Sequence, residues 1–466
     1  MSMSKLASAG GWADLPRDLL ESLLARLPVP DRVRFPAVCT AWQSAHTAAA
    51  GIQQATPSPW LMLPFNPTAR VGSVDDDDGS AKFSVARFLS LAEGRAYAIR
   101  QPAPAARDRL CVGSSPDGWL VTADACSELS LLNPVTGAQL CLPSAATLPF
   151  VDARRGADGQ VESYSLRFSF ADDDGGGCGE EEALVPPETF APDRLRYEVY
   201  EKAVVLSAPR RAPPCSWGGY AVLLICQPLG RLAVARAGDA EWTLLDADAP
   251  GRCWVDAVRA SSSSGADGTR RDYQPVYTMD AAGRVDAWDT DVSATPATPS
   301  RAVAPPCVCS VRTCCTMSAA CRKYLVELSP GRLLQVHRLR EAAHARCAWE
   351  PRPEHVEYTT TGVELFEWTA ATGQWALADG RALGGRALFL GKNASLCVPA
   401  DDAGVRGDCV YFTDDGPWSH DRCHEVAPDV GVLDLADGSY RPPRGAARDL
   451  LWKWPPPVWV FPSLAG

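Results

Sequence analysis

The chain has 466 residues, a net charge of −11 and a hydrophobic fraction of 46%. A length like this suits about three ordinary domains, or one large β-architecture with a small module attached. The acidic balance argues against nucleic acid or an anionic membrane as the main partner, because both attract a basic face, and no apolar run approaches the roughly 18 residues of a membrane span.

Residues 1–11 are small and polar and read as a flexible tail, with no apolar core of signal-peptide length. The expectation is an intracellular protein, cytoplasmic or nuclear, whose 17 cysteines are reduced thiols. Residues 12–50 read as helical. Leu15, Leu19, Leu20, Leu23, Leu24 and Leu27 recur at helical spacing and form one broad apolar stripe. Asp14 is a natural N-cap, Pro16 suits a first turn, and Pro28 and Pro30 stop the helix. Asp31 can cap a second short helix through Val33, Phe35 and Val38, which Pro36 breaks or tightens. Thr40 can cap a third helix carrying Trp42.

From about residue 58 the apolar runs shorten to strand length, and Gly, Asp, Asn and Pro punctuate them. Six hairpins read plainly: "SPDGWLVT" from Ser115, "CQPLGRLAVA" from Cys226, "MDAAGRVDAW" from Met279, "LSPGRLLQV" from Leu328, "TAATGQWAL" from Thr369 and "DLADGSYRP" from Asp434. Apart from one longer gap they recur every 40 to 65 residues, the weak signature of propeller blades. "DDDDGS" near 74–80 and "DDDGGGCGEEE" near 171–183 read as acidic disordered insertions. The end, "LWKWPPPVWVFP", carries Trp452, Trp454, Trp459 and Phe461 and is too aromatic to hang in water; it is expected to complete a blade.

No chemistry-bearing cluster stands out. Cys307, Cys309, Cys314, Cys315 and Cys321 lack zinc-knuckle spacing and read as buried thiols. "GGRALFLGKNAS" has five residues between Gly385 and Gly391, and Asn393 after Lys392, so it fails the P-loop pattern and reads as a strand with turns. His420, Cys423 and His424 read as an exposed loop, and the acidic runs lack calcium-loop spacing. Neither metal nor cofactor is expected.

The stretch "LPRDLLESLLARLPVPDRVRFPAVCTAW" resembles an F-box: Leu15-Pro16, the leucines at 19, 20, 23 and 24, Leu27-Pro28, Val38-Cys39 and Trp42 all match, and Pro36 is the departure. The region after 58 resembles the plant F-box family with a KIB-type C-terminal domain, through "PSPWLMLPF", "GSSPDGWLVTADACSELSLLNPVTGAQLCLP", "ALFLGKNASLCVPA", "GDCVYFTDD" and "GVLDLADGSY". That resemblance implies a mainly β chain: a three-helix F-box over 12–50, then a β-propeller of about six to seven blades over 58–466. It also implies a non-enzymatic substrate receptor of a Skp–cullin–F-box ubiquitin ligase. Its partners would be a Skp-type adaptor, cullin and RING subunits through that adaptor, and an unnamed target protein.

Three short helices cannot hold a core alone, so the stripe must bury against something. The expected adaptor-binding residues are Leu15, Pro16, Leu19, Leu20, Leu23, Leu24, Val33, Val38, Cys39 and Trp42, with Trp42 and the Leu15-Pro16 corner as hot spots. Two rival readings stay open. One is an F-box scaffold outside any ligase. The other is a propeller hydrolase, which would need a cluster of buried carboxylates with raised pKa at the channel.

Overall fold

The computed structural model describes residues 11–48, 58–63, 83–102, 109–167, 188–212, 216–227, 230–245, 252–260, 275–288, 299–304, 321–344, 356–369, 372–416, 428–446 and 457–463. The tail 1–10, both acidic insertions, the thiols 307–315, the His420–His424 segment, Trp452 and Trp454 lie outside these residues.

The front module opens with a 3-10 turn, Trp12–Asp14, followed by α1 (Arg17–Arg26), α2 (Val29–Arg34), a second 3-10 turn (Phe35–Ala37) and α3 (Thr40–Ala48). Asp14 does not cap α1. Its carboxylate accepts from the Gly11 N–H at 2.9 Å and closes the 3-10 turn, and the N-cap position of α1 is Pro16. Pro30 does not stop a helix either. It sits in the first turn of α2, where no N–H is needed, and Asp31 lies inside that turn behind Pro28 at the cap. Thr40 is the first residue of α3, not a residue before it. Pro36 tightens its segment into a 3-10 turn, as its missing N–H requires. Arg32 ties α1 to α2, donating from Nε to the Leu27 carbonyl and from Nη2 to that of Ala25, both at 2.8 Å.

Among the described residues the strands form six sheets of four or five strands, together with a three-stranded sheet and a two-stranded hairpin. Blade 2 is a simple meander of Leu110–Ser114, Leu120–Ala123, Leu129–Leu132 and Gln139–Cys141. Blade 3 is built on Tyr200–Ser207, blade 4 on Trp254–Arg259, blade 5 on Cys321–Ser329 and blade 6 on Arg386–Leu390. Blade 1 takes Trp60–Met62, Phe83–Ser90 and Arg95–Pro102 from one end of the chain and Val458–Val460 from the other. There Trp60 pairs with Val460, Leu61 with Trp459 and Met62 with Val458. The aromatic end therefore completes a blade: Trp459 and Phe461 are buried, and the Ser114 hydroxyl donates to the Trp459 carbonyl at 2.6 Å.

Six apolar clusters fill the seams between successive blades, and the last seam, between blades 6 and 1, closes the ring. This explains why "AVLLIC" is apolar without alternation. Successive side chains point to opposite faces, so Leu223 enters the seam with blade 4 and Leu224 the seam with blade 2. A sheet buried on both faces needs a continuous apolar run. Gly118 shows what the turns demand: its φ is +85°, and a Cβ there would meet the Ser463 backbone nitrogen at 2.7 Å.

One expectation needs correction, and one sheet is new. The six hairpins do not mark one blade each: blade 5 holds two and blade 1 none. A three-stranded sheet of Val151–Arg155, Val161–Leu166 and Thr189–Phe190, unanticipated from sequence, stands between blades 2 and 3. The glycine turns are real, but tight turns also join strands within a blade, so their spacing carries no register.

His337, buried on Arg332–His344, stacks on Phe366 at 4.7 Å and shares a hydrogen bond with the Gln335 side chain at 3.0 Å. Burial, with Lys323 nearby, depresses its pKa from 6.5 to about 3. The unfolded imidazole takes a proton near pH 6.5 and the folded one does not until about pH 3, so this contribution is lost as pH falls through that window. From pH 7 to pH 5 the loss is about 2 kcal/mol. Denaturant titrations at both pH values should show His337→Gln losing less stability than the parent by about that amount; equal losses would count against it.

Candidate functional site

Two places can carry function, the outer face of the helical module and the centre of the propeller. In the module the leucine stripe is split. Leu20, Leu24, Phe35 and Ala45 are buried together, and Leu15, Leu27 and Trp42 pack half-buried against them. The Trp42 ring lies 4.4 Å from that of Phe35, and its indole N–H donates to the Trp12 carbonyl at 3.0 Å. Leu19, Leu23, Val33 and Val38 remain 37% to 57% exposed, and Trp12 is 75% exposed.

Leu20 and Leu24 are therefore not surface available to an adaptor, contrary to the expectation from sequence; they hold the module's own core. The physical reason is the turn of the helix, about 100° per residue. Leu20, Leu24 and Leu27 follow one line into the core, and Leu19 and Leu23 follow a neighbouring line outward. Pro16 is exposed, and Leu15, Cys39 and Trp42 are half-buried. Trp12 was missed because it directly follows a stretch that reads as tail. Its signal was present, since a tryptophan three residues before Leu-Pro is costly to leave without a role.

At the propeller centre, the turn after Arg386–Leu390 in blade 6 reaches other blades. The Ala394 N–H donates to the Ser114 carbonyl of blade 2 at 2.9 Å. The Lys392 ammonium donates to the Glu201 carbonyl of blade 3. The Ser395 hydroxyl donates to Asp256 of blade 4 at 2.7 Å and accepts from Lys202 of blade 3 at 3.1 Å. Lys202 and Asp256 form an ion pair at 2.7 Å with both side chains at or below 5% exposure. Asp256 also accepts from the Leu325 N–H of blade 5 at 2.9 Å. The P-loop-like segment is thus a strand and a turn that joins three other blades.

Two carboxylates in this region, Glu201 and Asp415, are held ionised by neighbouring cations. Burial pushes Glu201 upward, but Lys392 and Arg322 outweigh it and hold the carboxyl below its ordinary range. Burial opposes ionisation of Asp415 as well, and Arg322, Arg338 and Arg340 hold it well below. Arg338 further meets Asp429 at 2.6 Å. The raised-pKa cluster that a channel hydrolase would need is not found in this network. Among the described residues no group of three or more His, Cys, Asp or Glu could hold a metal ion, and no helix is long and apolar enough to cross a membrane.

Residues 88–434 match the KIB1-4 beta-propeller family, and residues 12–45 match the F-box domain. The chain belongs to the KIB1-4 beta-propeller family. An F-box/kelch-repeat protein of Arabidopsis thaliana is 30% identical over 133 residues, covering 28% of this chain and 32% of that protein. The chain thus matches about a third of that relative's length. F-box domains generally bind Skp-type adaptors, and an F-box joined to a propeller has the architecture of a substrate adaptor.

In this F-box propeller the central ion pair can be tested directly. Lys202→Met leaves Asp256 buried without its cation and should cost about 3–5 kcal/mol in a denaturant titration. Replacing both, as Lys202→Met with Asp256→Leu, should recover part of that loss. A single variant as stable as the parent would contradict the assignment.

Proposed function

We propose that the protein is the substrate-recognition subunit of a Skp–cullin–F-box ubiquitin ligase. One observation carries the reading. The F-box module has a core of its own in Leu20, Leu24, Phe35 and Ala45, yet leaves Leu19, Leu23, Val33 and Val38 facing water. Apolar side chains that the fold does not use are the material of an interface. Full burial of such a side chain contributes roughly 1.5–3 kcal/mol, so covering these four, each about half exposed, contributes on the order of 3–6 kcal/mol before association costs.

In this reading the F-box docks the Skp-type adaptor, which brings cullin and RING subunits. The propeller holds a target protein through its loops and strand edges. The chain contributes proximity and orientation and catalyses nothing itself, since a conjugating enzyme recruited by the RING subunit transfers the ubiquitin. The depressed pKa values of Glu201 and Asp415 favour this reading over a channel hydrolase. Residence in the cytoplasm or nucleus belongs to the same proposal, because the ligase assembles there.

The test is binding of the full chain to a purified Skp-type adaptor. Leu19→Asp combined with Val38→Asp should weaken binding by about 100-fold or more, since it places two charges in an apolar contact. Thermal unfolding should be nearly unchanged, because both positions are exposed. Leu20→Ala should behave differently, destabilising the module by about 2–5 kcal/mol through a cavity. A folded parent with no adaptor affinity would sink the ligase reading. Adaptor binding without cullin recruitment would favour the scaffold.

A further inference from the structure

Blade 1 receives strands from both ends of the chain, and the F-box rests on it. Val29, the first residue of α2, is half-buried against the seam formed by Trp60, Phe88, Leu120, Val458 and Val460. Tyr97, on the outer strand of the blade, packs against the same cluster, and its hydroxyl donates to Glu93 in the turn before that strand. Tyr97 stacks on Trp60, with ring centroids 5.5 Å apart and planes 19° apart, and Trp60 lies 6.0 Å from Phe88. Trp60 in turn pairs with Val460. Val29 of the F-box, Tyr97 and the closing strand Val458–Val460 thus meet in one apolar cluster around Trp60.

We infer that the F-box is held in one orientation on the propeller through Val29, and that this hold exists only once Val458–Val460 has closed blade 1. The strand Trp60–Met62 has three residues. Without its partner it becomes a short edge strand with unpaired backbone groups, and strands of that kind are marginal. Trp60 would then lose Val458 and Val460 from its seam, and Tyr97 would lose a fixed ring to stack on. The F-box core of Leu20, Leu24, Phe35 and Ala45 includes no blade residue, so release of the module leaves that core in place. The consequence is a check on completeness: a chain lacking its last strand carries an F-box but cannot hold it at a set angle to the propeller.

The test is backbone amide relaxation by NMR of the full chain, reading α1 and α3 against strands of blade 3. It uses no adaptor, so it stands or falls independently of the ligase reading. In the parent, the helix amides should tumble with the propeller as one body. Val29→Ser, and separately Val458→Ala with Val460→Ala, should shorten the effective correlation time of α1 and α3 several-fold while blade 3 keeps its own. Leu224→Ala, a core loss in the seam between blades 2 and 3, should leave the helices tumbling with the propeller. Unchanged helix relaxation in Val29→Ser would overturn the hold. Unchanged relaxation in the closing-strand pair, or equal release by Leu224→Ala, would overturn its dependence on closure. If the pair does not fold, Val458→Ala alone should show the same shift at smaller size, and no shift there overturns the dependence equally.

Discussion

The fold depends on one buried ion pair, Lys202 with Asp256, and on the Ser395 hydroxyl that both of them bond. A propeller's inner strands run beside one another around an axis, and neighbouring blades meet through apolar seams that have no direction of their own. The charge pair supplies direction. Asp256 accepts from the ammonium, the hydroxyl and the Leu325 amide, so blades 3, 4, 5 and 6 are fixed at one point relative to one another. A carboxylate at 0% exposure is tolerable only because each of these donors is present.

The turn after Leu390 is anchored in blades 2, 3 and 4 through Ala394, Lys392 and Ser395, and Lys392, Asn393 and Ser395 are all buried. These buried polar contacts tie blade 6 to three blades that are not its neighbours in the ring. Arg322, Arg338 and Arg340 hold Asp415 ionised, and Lys392 with Arg322 does the same for Glu201. These charges neutralise one another and serve packing.

Much of this was legible in the sequence. The switch from leucines at helical spacing to short apolar runs with glycine turns marked the two parts, and the aromatic run at the end marked closure. The blade pattern was legible only in outline, because turns within a blade look like turns between blades; the two hairpins of blade 5 show this. The inward and outward halves of the leucine stripe were not separated either. Leu19 and Leu20 are adjacent and chemically identical, and only the position of Phe35 and Ala45 across from α1 decides which one is inside. The central pair was invisible for a different reason. Lys202, Asp256 and Ser395 are far apart in sequence, lie in unremarkable strands and turns, and meet only when the ring closes.

Closure also explains why blade 1 takes strands from both ends of the chain. Five blades can form from consecutive segments, so their contacts are local and their loop-closure entropy is modest. Blade 1 must pair residues four hundred positions apart, Trp60 with Val460, and that cost is met by a dense aromatic packing of Phe389, Tyr411, Trp459 and Phe461 in the seam with blade 6. Phe389 lies 4.7 Å from Tyr411 and 5.2 Å from Trp459, so the closing strand is gripped from the blade 6 side while Trp60 holds it from the other. The F-box is set on the far edge of that same blade. The orientation inferred for the F-box is therefore only as firm as the strand that closes blade 1.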